Sequence, residues 1–190
     1  MNKKILLIVA VLASAALSAH AQNLVTNPGF ETGDFSGWTQ WGDTSFSGVS
    51  TSSPDGTPPH SGNFLSYYGP TGSMGGIQQN IGGTIAGNLY NISFWLANSD
   101  ASGNNAASVT FGSTTLLSLT GSPAFSFTQF TYNNVAASSN NALLQFGFFN
   151  PPLYWDLDDV SVTAVPEPGT LGLIALGALG LVGAFRKRLV

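Results

Sequence analysis

Residues 22–164 read as an all-β domain, an antiparallel β-sandwich of jelly-roll type, set between two short apolar segments at the ends of the chain. Three observations predict it. No part of that stretch sustains a 3.6-residue apolar period. Short runs rich in aromatic and β-branched residues recur instead. Clusters of Gly, Asn, Ser and Pro separate those runs, as turns separate short strands.

In chain order, Lys3 and Lys4 precede an apolar stretch over 5–17, and Ala19-His20-Ala21 places small residues at cleavage spacing. This is the pattern of a signal peptide over 1–21, cut before Gln22. Strands are then expected over 64–68, 76–81, 90–97, 108–111, 114–119, 129–133, 142–149 and 157–163. The clearest is Tyr90-Asn91-Ile92-Ser93-Phe94-Trp95-Leu96-Ala97. Its period of two turns Tyr90, Ile92, Phe94 and Leu96 to the core and Asn91, Ser93 and Trp95 to the other face. Asp55-Gly56, Gly82-Gly83, Gly87-Asn88 and Gly112-Ser113 supply turns between strands. Eight or nine such strands in roughly 144 residues make one domain with its own core. Trp38 is expected to plug one end of it. The chain has no cysteine, so no disulfide staples this domain.

The last segment, 165–190, is built differently. Val165-Pro166-Glu167-Pro168-Gly169-Thr170 leads into an apolar run over 171–185, closed by the basic stop Arg186-Lys187-Arg188. A helix over that run spans roughly 22 Å against a hydrocarbon core of about 30 Å. Four glycines (Gly172, Gly177, Gly180 and Gly183) weaken it further. Such a short transmembrane helix suits a temporary handle. The basic stop keeps its own end cytoplasmic and leaves 22–165 outside. Pro166 and Pro168 hold the motif extended, within reach of a membrane protease.

Charge narrows the function. All five Lys and Arg residues lie in the two end segments: Lys3, Lys4, Arg186, Lys187 and Arg188. Between them the acids Glu31, Asp34, Asp43, Asp55, Asp100, Asp156, Asp158 and Asp159 face no basic residue other than His60. Nucleic-acid binding needs Lys and Arg against phosphate, so it is excluded, and anionic lipid headgroups are disfavoured on the same ground. Catalysis is not expected. His60 sits in Pro58-Pro59-His60-Ser61-Gly62, read as a solvated loop, and no Lys, Arg or Cys can act as nucleophile or anion clamp. Asp156 and Asp158 share a strand face and formally permit a carboxylate-pair hydrolase. No phosphate-cradling loop or Cys-x-x-Cys is present.

The tail, in order, spacing and position, resembles the PEP-CTERM tail of bacterial exported proteins, also catalogued as the ice-binding protein C-terminal domain. That resemblance implies a sorting motif at Val165, Pro166, Glu167 and Pro168 and processing by an exosortase-type membrane protease. It also implies a Gram-negative-type bacterium that makes extracellular polysaccharide. No regular Thr-x-Thr ladder offers a flat ice-binding face.

Four further segments fall in the order seen in another family: Asn27-Pro28-Gly29-Phe30-Glu31-Thr32-Gly33-Asp34-Phe35-Ser36-Gly37-Trp38, His60-Ser61-Gly62-Asn63, Gln78-Gln79-Asn80-Ile81 with 86–95, and Trp155-Asp156-Leu157-Asp158-Asp159-Val160-Ser161-Val162. Together they resemble jelly-roll carbohydrate-binding and galactose-binding-like modules. The closing-strand resemblance accounts for Asp156 and Asp158 more simply than a hydrolase does. It implies a structural Ca²⁺ held by Glu31 and by the Asp158/Asp159 pair, either aspartate pointing at the metal. Trp95, on the face opposite the core, is the expected sugar-stacking contact, and Tyr154 and Trp155, in or beside loops, are expected to contribute to the ligand platform. Trp38, Trp41, Tyr67 and Tyr68 sit in or beside loops and are further contributors. The resulting expectation is an exported, non-catalytic surface or extracellular-matrix protein that binds polysaccharide. The alternative is a structural matrix component that self-associates through exposed sheet edges. Trp95→Ala separates the two, since only a binder loses affinity by it.

Overall fold

Alternating apolar and polar residues build two five-stranded antiparallel sheets whose apolar faces meet. The computed structural model describes residues 22–166, and all the strands lie in the compact unit Asn23–Ala164. In chain order they are β1 (Thr39–Gly42), β2 (Ser47–Ser50), β3 (Leu65–Tyr68), β4 (Gly75–Asn80), β5 (Leu89–Asn98), β6 (Ala106–Phe111), β7 (Thr114–Thr120), β8 (Phe125–Ala136), β9 (Leu143–Phe149) and β10 (Trp155–Ala164). Sheet I runs β1-β4-β9-β6-β7 and sheet II runs β2-β3-β10-β5-β8. The expected β-sandwich is therefore present. The signal peptide, the apolar tail and the basic stop lie outside the described residues, as do Glu167 and Pro168. Among the described residues no helix is long and apolar enough to cross a membrane.

Three elements differ from the sequence reading. β1 and β2 were not expected, because Thr39-Gln40-Trp41-Gly42 and Ser47-Gly48-Val49-Ser50 are too short and polar to show a period. They form by pairing with β4 and β3. β8 extends well beyond 129–133, because it pairs along most of β5, and ladder hydrogen bonds carry it past its apolar centre.

Tyr90, Ile92, Phe94 and Leu96 face inward as the alternation requires. Phe94 stacks on Phe130 at 5.6 Å and meets Phe146 edge-on at 5.2 Å, joining the sheets. Trp38 does close one end. It is buried against Phe30 and Phe146, and its Nε1 donates to the Asn27 carbonyl at 3.1 Å.

The opposite end is closed by buried amides. Asn98 Nδ2 donates to the carbonyls of Asp100, Ser122 and Pro123, while its Oδ1 accepts from Asp100 N and Asn150 Nδ2. Asn98→Ala strips five partners at once, leaving buried polar groups unmatched. A loss of about 1–3 kcal/mol in urea unfolding is expected.

Candidate functional site

The outer face of sheet II is organised by the 51–64 loop, which joins β2 to β3 and lies over β10 and β5. A bulge in β10 between Asp158 and Ser161, with Asp159 at φ +48°, turns two successive carboxylates towards that loop. Asp158 Oδ2 accepts from the backbone N–H groups of His60 (2.9 Å) and Ser61 (3.2 Å). Asp159 meets His60 Nδ1 at 2.6 Å and accepts from the Ser61 hydroxyl at 2.8 Å. Glu31 accepts from the amides of Asn63 (2.9 Å) and Phe64 (3.1 Å). The three acids expected at calcium thus hold one short loop segment. Gly62 sits there at φ +64°, where a Cβ would collide with Glu31 Oε1.

The donor set around Gly29 is partly suited to a cation. Asp158 Oδ1 and Asp159 Oδ1 both face it, while Glu31 turns its carboxylate to the Asn63 and Phe64 amides. Among the described residues no group of three or more His, Asp or Glu side chains is arranged to hold a metal. Burial pushes the Asp158 carboxyl up to about 6, against the Ser61 amide. The Asn63 amide holds Glu31 below its usual range.

The three expected aromatic contacts have different fates. Trp95 is on the outer face, across from Asp158, but the His60 imidazole stacks on it at 3.7 Å and 17°, with Phe127 edge-on to His60. One ring face is therefore already occupied, and His60 is docked by Trp95 and Asp159 rather than free in solvent. Tyr154 is half-buried, edge-on to Tyr67 at 5.6 Å. Trp155 is a correction: it is fully buried and cannot touch a surface ligand. Alternation along β10 sends it inward with Leu157, where it packs on Phe125 and Phe148 and donates from Nε1 to the Phe149 carbonyl. Tyr68 is likewise core, stacked on Phe148 at 4.5 Å.

An open groove of about 640 Å³ runs beside His60, between residues 57–60 and the start of β8, with Ala97, Asn98 and Ser99 in its wall. Next to it lies Asp156, fully buried and paired across the strands with Tyr67 and Ala97. Burial, then the Asp55 charge, pushes its carboxyl up to about 7.

Sequence reasoning named Trp41 as a contributor beside a loop but missed the outer face of sheet I to which it belongs. Its five strands contain no charged residue. Trp41, Gly76, Gly147, Ser108 and Ser118 form one row across it, and Thr39, Gln78, Gln145 and Thr110 the next. Trp41 is half-buried and donates from Nε1 to the Phe146 carbonyl at 3.0 Å. Its indole lies over Gly147, where a Cβ would stand 2.9 Å from Trp41 Cζ2. Beside it Gln145 Nε2 donates to Gln78 Oε1 at 2.8 Å. The result is an aromatic ring over a glycine trough, flanked by amides and hydroxyls. The signal was available in the outward period of Gly76 and Gln78, and of Gln145 and Gly147, but not in the four residues of β1.

Comparison with known proteins places the tail. Residues 164–188 match the PEP-CTERM protein-sorting motif. This motif marks an exported protein with a C-terminal membrane-anchored precursor form. No curated protein matches the chain in sequence. Among solved structures the fold is similar to TmCBM61 bound to β-1,4-galactotriose (TM-score 0.58, 18% identity, 76% of this chain and 100% of that one). It is similar also to the K3 cleaved adhesin domain of Lys-gingipain from Porphyromonas gingivalis (0.51, 20%, 73% and 98%). A third is the CBM22-1–GH10 modules of Clostridium thermocellum xylanase 10B with xylohexaose (0.53, 18%, 75%), of which the match spans only 28%. At these identities the likeness shows the fold, a sandwich shared with carbohydrate-binding modules.

Two outcomes are expected here. Gly62→Ala forces the strained loop off Glu31, so amide exchange at 60–64 rises well before global unfolding. In chelator, the raised carboxyls of Asp156 and Asp158 make the folded state the better proton binder. Their stability is fully present below the unfolded value of 3.8 and is lost as pH rises through about 6 and about 7. Melting temperature should therefore fall from pH 4 to pH 7, and Asp156→Asn should flatten that slope.

Proposed function

We propose that this chain is an exported, non-catalytic protein that binds neutral polysaccharide on the outer face of sheet I. Trp41 over the Gly76–Gly147 trough is the observation that carries the reading. An indole face offers apolar area to the C–H face of a sugar ring, and neighbouring amides and hydroxyls can hydrogen-bond its hydroxyls. A face without charge suits a neutral glycan. The PEP-CTERM motif supports delivery beyond the inner membrane, with exosortase-type cleavage near Pro168 releasing the domain to the surface or matrix. A Ca²⁺ near Asp158 and Asp159, with Glu31 released from its loop amides, would serve structure rather than recognition.

Trp41→Ala should weaken binding to a galactan or xylan in affinity electrophoresis by about tenfold or more, measured well below a melting temperature that loss of the half-buried indole and its bond to Phe146 also lowers. Trp95→Ala, beneath His60, should leave binding nearly unchanged. The reverse pattern would move the site to sheet II, and full retention by both variants would reject glycan recognition through either ring.

One observation favours a second reading. β8 is a twelve-residue edge strand with no charged residue. Such an edge invites strand pairing between copies. A self-associating matrix component would assemble in light scattering without glycan, and Gln129→Lys on β8 would suppress the assembly.

A further inference from the structure

Asp156 poses a problem that the hydrogen bonds of the fold leave unsolved. It is 0% exposed, and neither carboxylate oxygen has a hydrogen-bond partner. An unpaired buried carboxylate is among the costliest groups a core can hold. Residues 22–165 contain no Lys or Arg to neutralise it, and the one histidine there, His60, is engaged by Asp159.

What faces Asp156 is more oxygen. The 53–57 turn lies over it, closed by Gly56 N to Ser53 O and by Ser53 N to Thr57 O, each at 2.9 Å. In that turn the Ser53 and Thr57 hydroxyls both point to Asp55 Oδ1, and both lie towards Asp156. The Ser99 hydroxyl is also beside Asp55. Two carboxylates with hydroxyls between them, and no nitrogen or sulfur, form a hard oxygen donor set. Thr57, Ala97 and Ser99 line the groove on one side, which gives an ion a way in.

We propose that Asp55 and Asp156, with the hydroxyls of Ser53 and Thr57, form a Ca²⁺ site that fastens the 53–57 turn to sheet II. The site is separate from Glu31, Asp158 and Asp159, which hold the 60–64 end of the same loop. A cation there neutralises two acids at once and fixes the wall of the groove. Donors that are partly hydroxyl and only twice carboxylate place its affinity with extracellular modules, at about 10⁻⁴–10⁻³ M.

The test uses the full-length chain in detergent, stripped with chelator and titrated with CaCl₂ by calorimetry and by thermal melting. Asp156→Asn should bind one ion fewer than the parent and melt higher than it in chelator, because the buried charge is gone. Asp55→Asn, at the exposed end of the turn, should lose the same ion, and its folding is not at risk. Glu31→Gln and Asp159→Asn should keep it. If Asp156→Asn and Asp55→Asn bind as many ions as the parent with unchanged affinity, the proposal is overturned, and a proton shared by the two carboxyls is the neutralising species. Glycan binding through Trp41 is measured separately, so either idea can fail alone.

Discussion

Eight carboxylates without a single lysine or arginine among residues 22–165 set the terms for this domain. Each acid that leaves water must be met by backbone amides, hydroxyls, His60 or a cation. Glu31 takes the Asn63 and Phe64 amides, Asp158 takes those of His60 and Ser61, and Asp43 takes the amides of Ser45 and Gly72. Loops here are consequently tied down by carboxylate acceptors on neighbouring elements, with His60–Asp159 the one contact of ion-pair type among the described residues. Such ties are directional, so they specify loop geometry as well as stabilising it. The 51–64 loop shows the consequence, because it is drawn across sheet II and brings His60 onto Trp95.

That loop also makes the two outer faces unequal. Sheet II is covered along β10 and β5, and its aromatic rings are engaged within the protein. Sheet I carries no such cover. Its glycines at 76 and 147 are buried, and the Trp41 indole fills the space over Gly147. A face that is open, uncharged and rich in amides differs chemically from one that is roofed and acidic. The proposed recognition face and the loop fastening therefore lie on different sheets.

Address and activity are carried by different parts of the chain. The PEP-CTERM motif at 164–188 concerns delivery and says nothing of a ligand. The sandwich is similar to carbohydrate-binding modules in backbone alone, at identities too low to transfer a binding site. Only the side chains on its faces can speak to recognition.

Sequence alone determined the β-sandwich, the inward residues of β5, the plug at Trp38 and the sorting motif. All of these depend on local period, turn chemistry or contiguous order. It also placed Glu31, Asp158 and Asp159 at one locality through their resemblance to a known module. Trp155 differs from the expected ligand contact because the alternation Trp155-Asp156-Leu157 turns it inward, a local period that outweighs its place next to a loop. The tertiary structure decided the rest. That His60 covers Trp95, that Trp41 lies over Gly147, and that Asp156 is buried facing Asp55 each depend on residues far apart in the chain. Strand order and loop path bring such residues together, and neither is encoded in the spacing of any one segment.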